Sequence, residues 1–484
     1  MDAAELARIA AFEMQTLGMR PAFAPEALHE AQAQAGEPLE HGPGIRDLRD
    51  RLWFSIDNDD TLDLDQLSWA EALPDDVVRL AVAVAEVDAH VPQGGALDAH
   101  AAANTTSVYT AAGVFPMLPP LLSNDLSSLR EGVDRLAVVV EMDVNGDGEV
   151  TGAEIHRALV RNHAKLAYDG VAAWLDGHAP PPPLVAARLE LQTQLHLHDR
   201  VARSLRLGRH RRGALNIATA QARPVFADGE LVDLRADHKN RAKDLIADLM
   251  IATNGVTARY LSEHGQPTLR RVLQEPRRWD RLVSLAAPFG TRLPAAPDAL
   301  ALDQFLIARR QADPAGFEDL SLSVVKLLGS GAYAAVAPGA PPAGHFGLAV
   351  NDYAHSTAPN RRFVDLVTQR LLKAALDGRA APYTIEQLEA IARHCTQQED
   401  TASTIERRVL KAAAAFLLHG RIGESFDAIV TGVTPKGTFV RITSPLVEGR
   451  VVSGFEGLDV GDLLLVRLKS VDVGQRFIDF ERAT

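Results

Sequence analysis

Between Ser55 and Gln66 the chain reads Ser-Ile-Asp-Asn-Asp-Asp-Thr-Leu-Asp-Leu-Asp-Gln, with five carboxylates in the nine positions 57–65. Like charges at ~5 Å and an effective dielectric of ~20 repel by about 3 kcal/mol per pair. Such a segment must either spread into solvent or gather a counter-charge. If residues 61–66 are extended, Asp63 and Asp65 project from one face and Leu62 and Leu64 from the other. Asp57 then returns to the same place across the Asn58-Asp59-Asp60 turn. Oxygen-only ligands suit a hard cation, Mg²⁺ or Mn²⁺. The pattern points to metal-dependent phosphoryl chemistry. A solvated turn is the competing reading, and it fits Asp59 and Asp60.

Composition narrows the setting. At 484 residues with 46% hydrophobic content, the chain can bury a large core and divide into two to four domains. One cysteine, Cys395, leaves no disulfide framework and no Cys-based zinc site. Residues 1–20 are amphipathic and lack a signal-peptide apolar core. No uncharged apolar run approaches ~20 residues, so a membrane span is not expected and the cytoplasm is. A net charge of −13 argues against a surface coated with nucleic acid but allows a local basic path. The densest basic run is Arg203, Arg206, Arg209, His210, Arg211 and Arg212. It reads equally as a solvated helix end or as a phosphate track.

Periodicity organises the rest. Helical spacing over Ala4–Leu17 and Pro25–Ala35 predicts a small N-terminal helical unit, residues 1–44, of helix-turn-helix kind. Gly42-Pro-Gly44 marks a linker. Strands are expected at Arg51–Ile56, Val77–Val87 and Leu136–Met142. Residues 160–420 read as mostly helical, including Ala242–Tyr260, Arg362–Ala375 and Cys395–His419. Short alternating strands with Gly turns return after Glu424, which predicts a small β-barrel. The stretch Asp143–Glu154 matches an EF-hand calcium loop in its ligand spacing. Its flank Leu136–Met142 is strand-like, however, and Asn145-Gly and Asp147-Gly are hairpin signals. A hairpin is therefore expected there, not a calcium site.

Several motifs then fall into one order. Arg46–Gln66 is followed by Val84-Ala-Glu-Val-Asp-Ala-His-Val91, Gly95-Ala-Leu-Asp, Thr106-Ser-Val-Tyr109 and Phe115-Pro-Met-Leu-Pro119. Next come Leu122-Ser and Leu126-Ser-Ser-Leu129, Ala164-Lys-Leu-Ala-Tyr168, Arg212-Gly-Ala-Leu215 and Met250-Ile-Ala-Thr-Asn254. His345-Phe-Gly-Leu348 and Tyr353-Ala-His-Ser-Thr-Ala-Pro-Asn-Arg-Arg-Phe363 complete the set. Together they resemble the RNB domain of RNase II-type exoribonucleases over residues 45–420. The segment 423–484, with Phe426-Asp-Ala-Ile-Val-Thr-Gly-Val and Lys436-Gly-Thr-Phe-Val440, resembles the OB-fold module that commonly ends such enzymes. The expected fold class is α+β: a sheet core with surrounding helices, a small helical unit before it and a barrel after it.

The resemblance implies processive 3′-to-5′ hydrolysis of single-stranded RNA to nucleoside 5′-monophosphates. It implies Mg²⁺ (or Mn²⁺) held by Asp57, Asp63 and Asp65, with Gln66 standing where the family usually has a fourth Asp. Arg361 matches the arginine on the scissile phosphate; the competing reading is a surface arginine paired with Asp365. Tyr109 matches the aromatic that clamps the 3′-terminal base and sets the final product length, against an ordinary core tyrosine. Glu406 matches a carboxylate near the terminal sugar. Phe439 is a base-stacking aromatic or a barrel core residue. Three departures stand out. Ala247 and Asp248 replace a Glu-Glu pair, Ile217 replaces a stacking phenylalanine, and residues 1–45 hold no counterpart of the usual paired cold-shock barrels. Gln66, Ala247 and Ile217 keep a second reading open, a nuclease-silent RNA-binding or regulatory protein. A monomer working on single-stranded RNA, without a membrane partner, is expected.

Overall fold

The strand Val150–Ala167 organises the larger part of the chain. Its first two thirds pair antiparallel with Asp134–Val144, and its last residues run parallel to Trp53–Asp57. From Trp53–Asp57 the sheet continues through Gln66–Ala72 and Val78–Ala85 to Asp134–Val144. The sheet thus curls back on itself, and Ile45–Asp47 adds to the outer side of the long strand. This computed structural model describes residues 2–483 apart from 36–41, 43, 219–220, 274–275, 277, 315 and 342–343. Pro43 of the expected linker lies outside the described residues.

Closure explains a departure from simple alternation. Alternation along Arg51–Ile56 would bury one face only, yet Trp53, Phe54, Ser55 and Ile56 are all buried. One side of that strand faces the sheet interior, and the other is roofed by the helix Leu189–Arg211. There Phe54 meets His198 edge-on at 4.8 Å. The same helix clasps the neighbouring strand, with Gln194 accepting from the Ala70 amide and donating to its carbonyl.

Helices at Arg241–Glu263, Phe363–Leu376 and Ile385–Leu418 cover the rest. The helix Phe363–Leu376 is nailed down by polar groups as well as by apolar ones. Gln369 bonds the Ala85 carbonyl and the Asp88 amide, while Arg370 pairs with Asp88 and Asp98. Ile385–Leu418 begins ten residues before the expected start at Cys395, because Thr384 and Gln387 form a capping box. The region 160–420 is also less helical than its periodicity suggests. It contains an antiparallel hairpin, Gln221–Ala227 with Glu230–Asp237, and a second pair, Thr268–Val272 with Ala332–Val336. The stretch 143–154 is a hairpin, with Asp143 paired to Arg79 and Glu154 to Arg46, so no EF-hand exists there.

A second apolar cluster lies apart from the sheet. Leu6, Ala10 and Met14 of the N-terminal helix Ala3–Thr16 share it with Val108 and Ala111, with Ile405 and Val409, and with the C-terminal barrel. That barrel is closed, its five strands arranged in the order Ser425–Thr434, Gly437–Thr443, Leu446–Ser453, Phe477–Arg482, Leu463–Asp472. Val440 and Ile442 fill its interior. Phe439, between buried Thr438 and Val440, therefore points outward and is half-buried.

Candidate active site

The acidic segment leaves the sheet after Asp57, the last residue of its strand. Residues 61–65 are loop, and the next strand opens at Gln66. Leu64 and Asp65 are both buried, whereas Leu62 is exposed. Strict alternation fails because the loop is held from outside. Ser128 Oγ accepts from the Leu64 amide at 3.0 Å and donates to the Leu62 carbonyl at 2.6 Å. The Leu129 amide donates to the Leu64 carbonyl at 3.0 Å. The Leu126-Ser-Ser-Leu129 motif is thus the clamp on the acidic loop.

Asp65 is 3% exposed. Its Oδ1 accepts from the Asn360 amide at 3.1 Å and its Oδ2 from Arg361 Nε at 3.3 Å. Burial pushes its carboxyl up to about 7; Arg361 opposes the shift and Asp63 adds to it. Asp63 is raised in the same way by burial, with Arg361 opposing and Asp57 adding. The three carboxylates thus form an electrostatic chain that one arginine only partly offsets. Asp57 Oδ1 is occupied by the Asn58 amide and the Thr61 hydroxyl. Gln66 is half-buried at the start of its strand. Among the described residues, no three His, Cys, Asp or Glu side chains converge as a closed metal cage. The donor set and its excess of negative charge nevertheless fit a hard divalent cation.

Arg361 does not sit in the first turn of a helix. The helix starts at Phe363 with Arg362 as its N-cap, and Pro359 and Arg361 precede it. The expected competitor, an Arg361–Asp365 pair, is absent. Arg362 takes Asp365 instead, with contacts of 2.7 and 2.8 Å. Arg361 is left free for the site, its side chain 41% exposed.

On the other side of Arg361 lies a pocket of about 190 Å³, lined by Tyr109, Arg361, Arg362, Glu399 and Glu406 among others. Tyr109 is not a core residue: it is 44% exposed, and its hydroxyl is within electrostatic reach of Arg361, Asp63 and Asp65. The Tyr109 amide donates to Glu406 Oε1 at 2.9 Å across 297 positions of sequence. Among the described residues Glu406 has no arginine or lysine partner, and burial raises its carboxyl. Phe439 is not part of this pocket.

Four neighbours were quoted within motifs but given no role. Asn360 is buried beside Asp65, and its Oδ1 accepts from Ser127 at 2.6 Å while its Nδ2 has no protein partner. Tyr168 faces Asp57 and Arg361. Ser127 and Ser128 brace the two halves of the site. Their signal was position: each lies inside one of the ordered motifs, and Asn360 is immediately beside Arg361. Asp248, by contrast, is committed to Arg206 and Arg209 and plays no part here.

The family model of the RNB domain matches residues 45–378. The chain belongs to the RNB family. The RNase II-type exonuclease C-terminal S1 domain matches residues 424–483, the closed barrel. Ribonuclease R of Thermotoga maritima is 32% identical over 84% of this chain and 58% of its own length. Ribonuclease R of Escherichia coli is 29% identical over 95% of this chain and 60% of its own length. The chain therefore spans about three fifths of the length of these curated relatives. Among solved structures, Mycoplasma genitalium RNase R in complex with ribose methylated single-stranded RNA superposes with a TM-score of 0.85. It covers 98% of this chain and 77% of that one at 21% identity, a likeness of fold. Among the described residues, no helix is long and apolar enough to cross a membrane.

Proposed function

We propose that this protein is a 3′-to-5′ exoribonuclease that hydrolyses single-stranded RNA processively to nucleoside 5′-monophosphates. The observation that carries this reading is Arg361, shared between the acidic loop and the Tyr109–Glu406 pocket. One guanidinium can thereby touch the scissile phosphate while the terminal nucleotide occupies the pocket beside it.

Each residue has a role in this reading. Asp57, Asp63, Asp65 and the Gln66 amide hold Mg²⁺ or Mn²⁺. When bound, such a cation lowers the pKa of attacking water and offsets charge on the leaving 3′-oxygen. Arg361 gives up Asp65 Oδ2 for the phosphate oxygens, and the Asn360 amide keeps Asp65 aimed. The Asn360 Nδ2 is a spare donor next to the reacting phosphate. Tyr109 lies over the terminal base, and the free Glu406 oxygen accepts from a ribose hydroxyl. Outward-facing Phe439 offers the barrel a stacking surface for the incoming strand. A monomer in the cytoplasm is part of the same reading.

Incubation with 5′-labelled single-stranded RNA and Mg²⁺, with products resolved by length, tests it. The expected outcome is stepwise shortening from the 3′ end with mononucleotide release, abolished by a chelator. Tight RNA binding without product at any divalent concentration would favour the nuclease-silent alternative raised by Gln66 and Ile217.

A further inference from the structure

The N-terminal helices do not line the pocket, yet they hold two of the elements that do, the strand toward Tyr109 and the helix carrying Glu406. Asn104, buried at the end of the helix Ala96–Asn104, bonds Arg20 in both directions. Its Oδ1 accepts from the Arg20 amide and its Nδ2 donates to the Arg20 carbonyl, each at 2.8 Å. The start of the same helix is capped from the N-terminal unit as well, because Glu30 Oε2 accepts from the Ala96 and Leu97 amides. Phe23 packs on His100 in between, with ring centroids 4.4 Å apart.

Immediately after Asn104, Thr105 adopts φ +60°, a left-handed conformation that a β-branched residue adopts only under constraint. Such strain persists where surroundings over-determine the backbone. Here the constraints come from both sides. Asn104 is pinned by Arg20, and the Thr105 carbonyl accepts from the Phe363 amide at 2.8 Å. The Ser107 amide then donates to the Arg361 carbonyl at 3.0 Å, and two residues later the Tyr109 amide meets Glu406. A second joint ties the other wall. Buried Glu13 accepts from Arg408, two positions beyond Glu406, at 2.7 Å and from Arg476 of the barrel at 2.6 Å.

From these contacts we infer that the N-terminal helix pair is a positioning scaffold for the terminal-nucleotide pocket, with Asn104 and Glu13 as its joints. The inference rests on the reading of that pocket as the seat of the RNA 3′ end. Asn104 fixes where the strand toward Tyr109 begins and where it zips to Arg361. Glu13 fixes the helix turn that carries Glu406. Neither is a catalytic residue, since neither touches the pocket.

Limit-product length on 5′-labelled RNA reads this directly. Asn104→Ala should lengthen the limit product toward that of Tyr109→Ala and raise KM about tenfold, with kcat within about threefold. The double variant should give a product no longer than Tyr109→Ala alone, because both changes loosen one grip. A folded Asn104→Ala with the wild-type limit product and KM would overturn the inference. If Asn104→Ala does not fold, Glu13→Gln, which keeps the shape, should shift product length in the same direction by a smaller amount; no shift overturns the inference. If wild-type protein releases no nucleotides, the reading of the pocket fails separately. RNA affinity of the same variants then decides, and unchanged affinity in both sinks the scaffold.

Discussion

Two charge-dense stretches meet opposite fates in this molecule. The basic run 203–212 is spent mostly on architecture. Arg206 bonds Asp244 and Asp248, Arg209 bonds Asp248, His210 faces Asp303 at 3.5 Å, and Arg203 reaches Asp199 at 3.7 Å. The acidic loop is left short of partners: Asp63 and Asp65 share Arg361, and the more buried of them is pushed up to about 7, first by desolvation. Charge density was similar in the two sequences. What separates them is whether the fold supplies matching charge, and the unmatched cluster is the one placed beside a pocket.

The sharpest way to break this contrast is to remove one arginine from each region. Arg361→Ala should lower kcat by about 10²–10³, because a donor aimed at developing charge is lost. Its melting temperature should change little near pH 7, since Asp65, its carboxyl already pushed up to about 7, takes up a proton once Arg361 is gone and keeps the Asn360 amide. Arg209→Ala should do the reverse. Arg209 is itself buried, so its loss costs about 2 kcal/mol even with Arg206 left on the Asp248 carboxylate, read as a lowered melting temperature, while kcat per folded molecule stays within about twofold. If Arg209→Ala instead weakens RNA binding with stability intact, the basic run is a phosphate track after all.

Acid sharpens the contrast within the architectural region. His198 is fully buried between Phe54 and the helix backbone, and burial holds it down at about 4 against an ordinary 6.5. The unfolded chain therefore binds more protons between those values. Stability is complete above pH 6.5 and is lost as pH falls toward 4, by roughly 3 kcal/mol for this residue. Melting temperature against pH should show the slope, and His198→Gln should flatten it. The smallest effect belongs to Arg203→Ala, because this arginine is exposed and its partner four residues away, buried Asp199, is already held by Arg241. A stability change within about 0.5 kcal/mol and unaltered turnover are expected there.

Much of this was legible in the sequence, and the reasons differ by element. The helices at 3–16, 241–263 and 363–376 announce themselves through apolar spacing, and the barrel through short alternation. The hairpin at 221–237 does not, because Pro224 and a mixed pattern hide it. The start of the long helix was missed because its marker, the Thr384–Gln387 capping box, lies well before the apolar spacing from Cys395 onward. Within the site, Asp65, Arg361, Tyr109 and Glu406 come from four distant segments. No local periodicity brings them together; the family resemblance did. The roles of Asn360 and of Ser127 and Ser128 depend on hydrogen bonds across 64 to 295 positions, which only the fold displays.

The central claim is that the acidic loop does chemistry while the pocket does the holding. Measuring RNA affinity and turnover side by side for Asp65→Asn tests it most directly. Turnover should fall by at least about hundredfold with affinity within about threefold of wild type. Undiminished degradation by Asp65→Asn would contradict the account, as would loss of binding and turnover together in a folded protein.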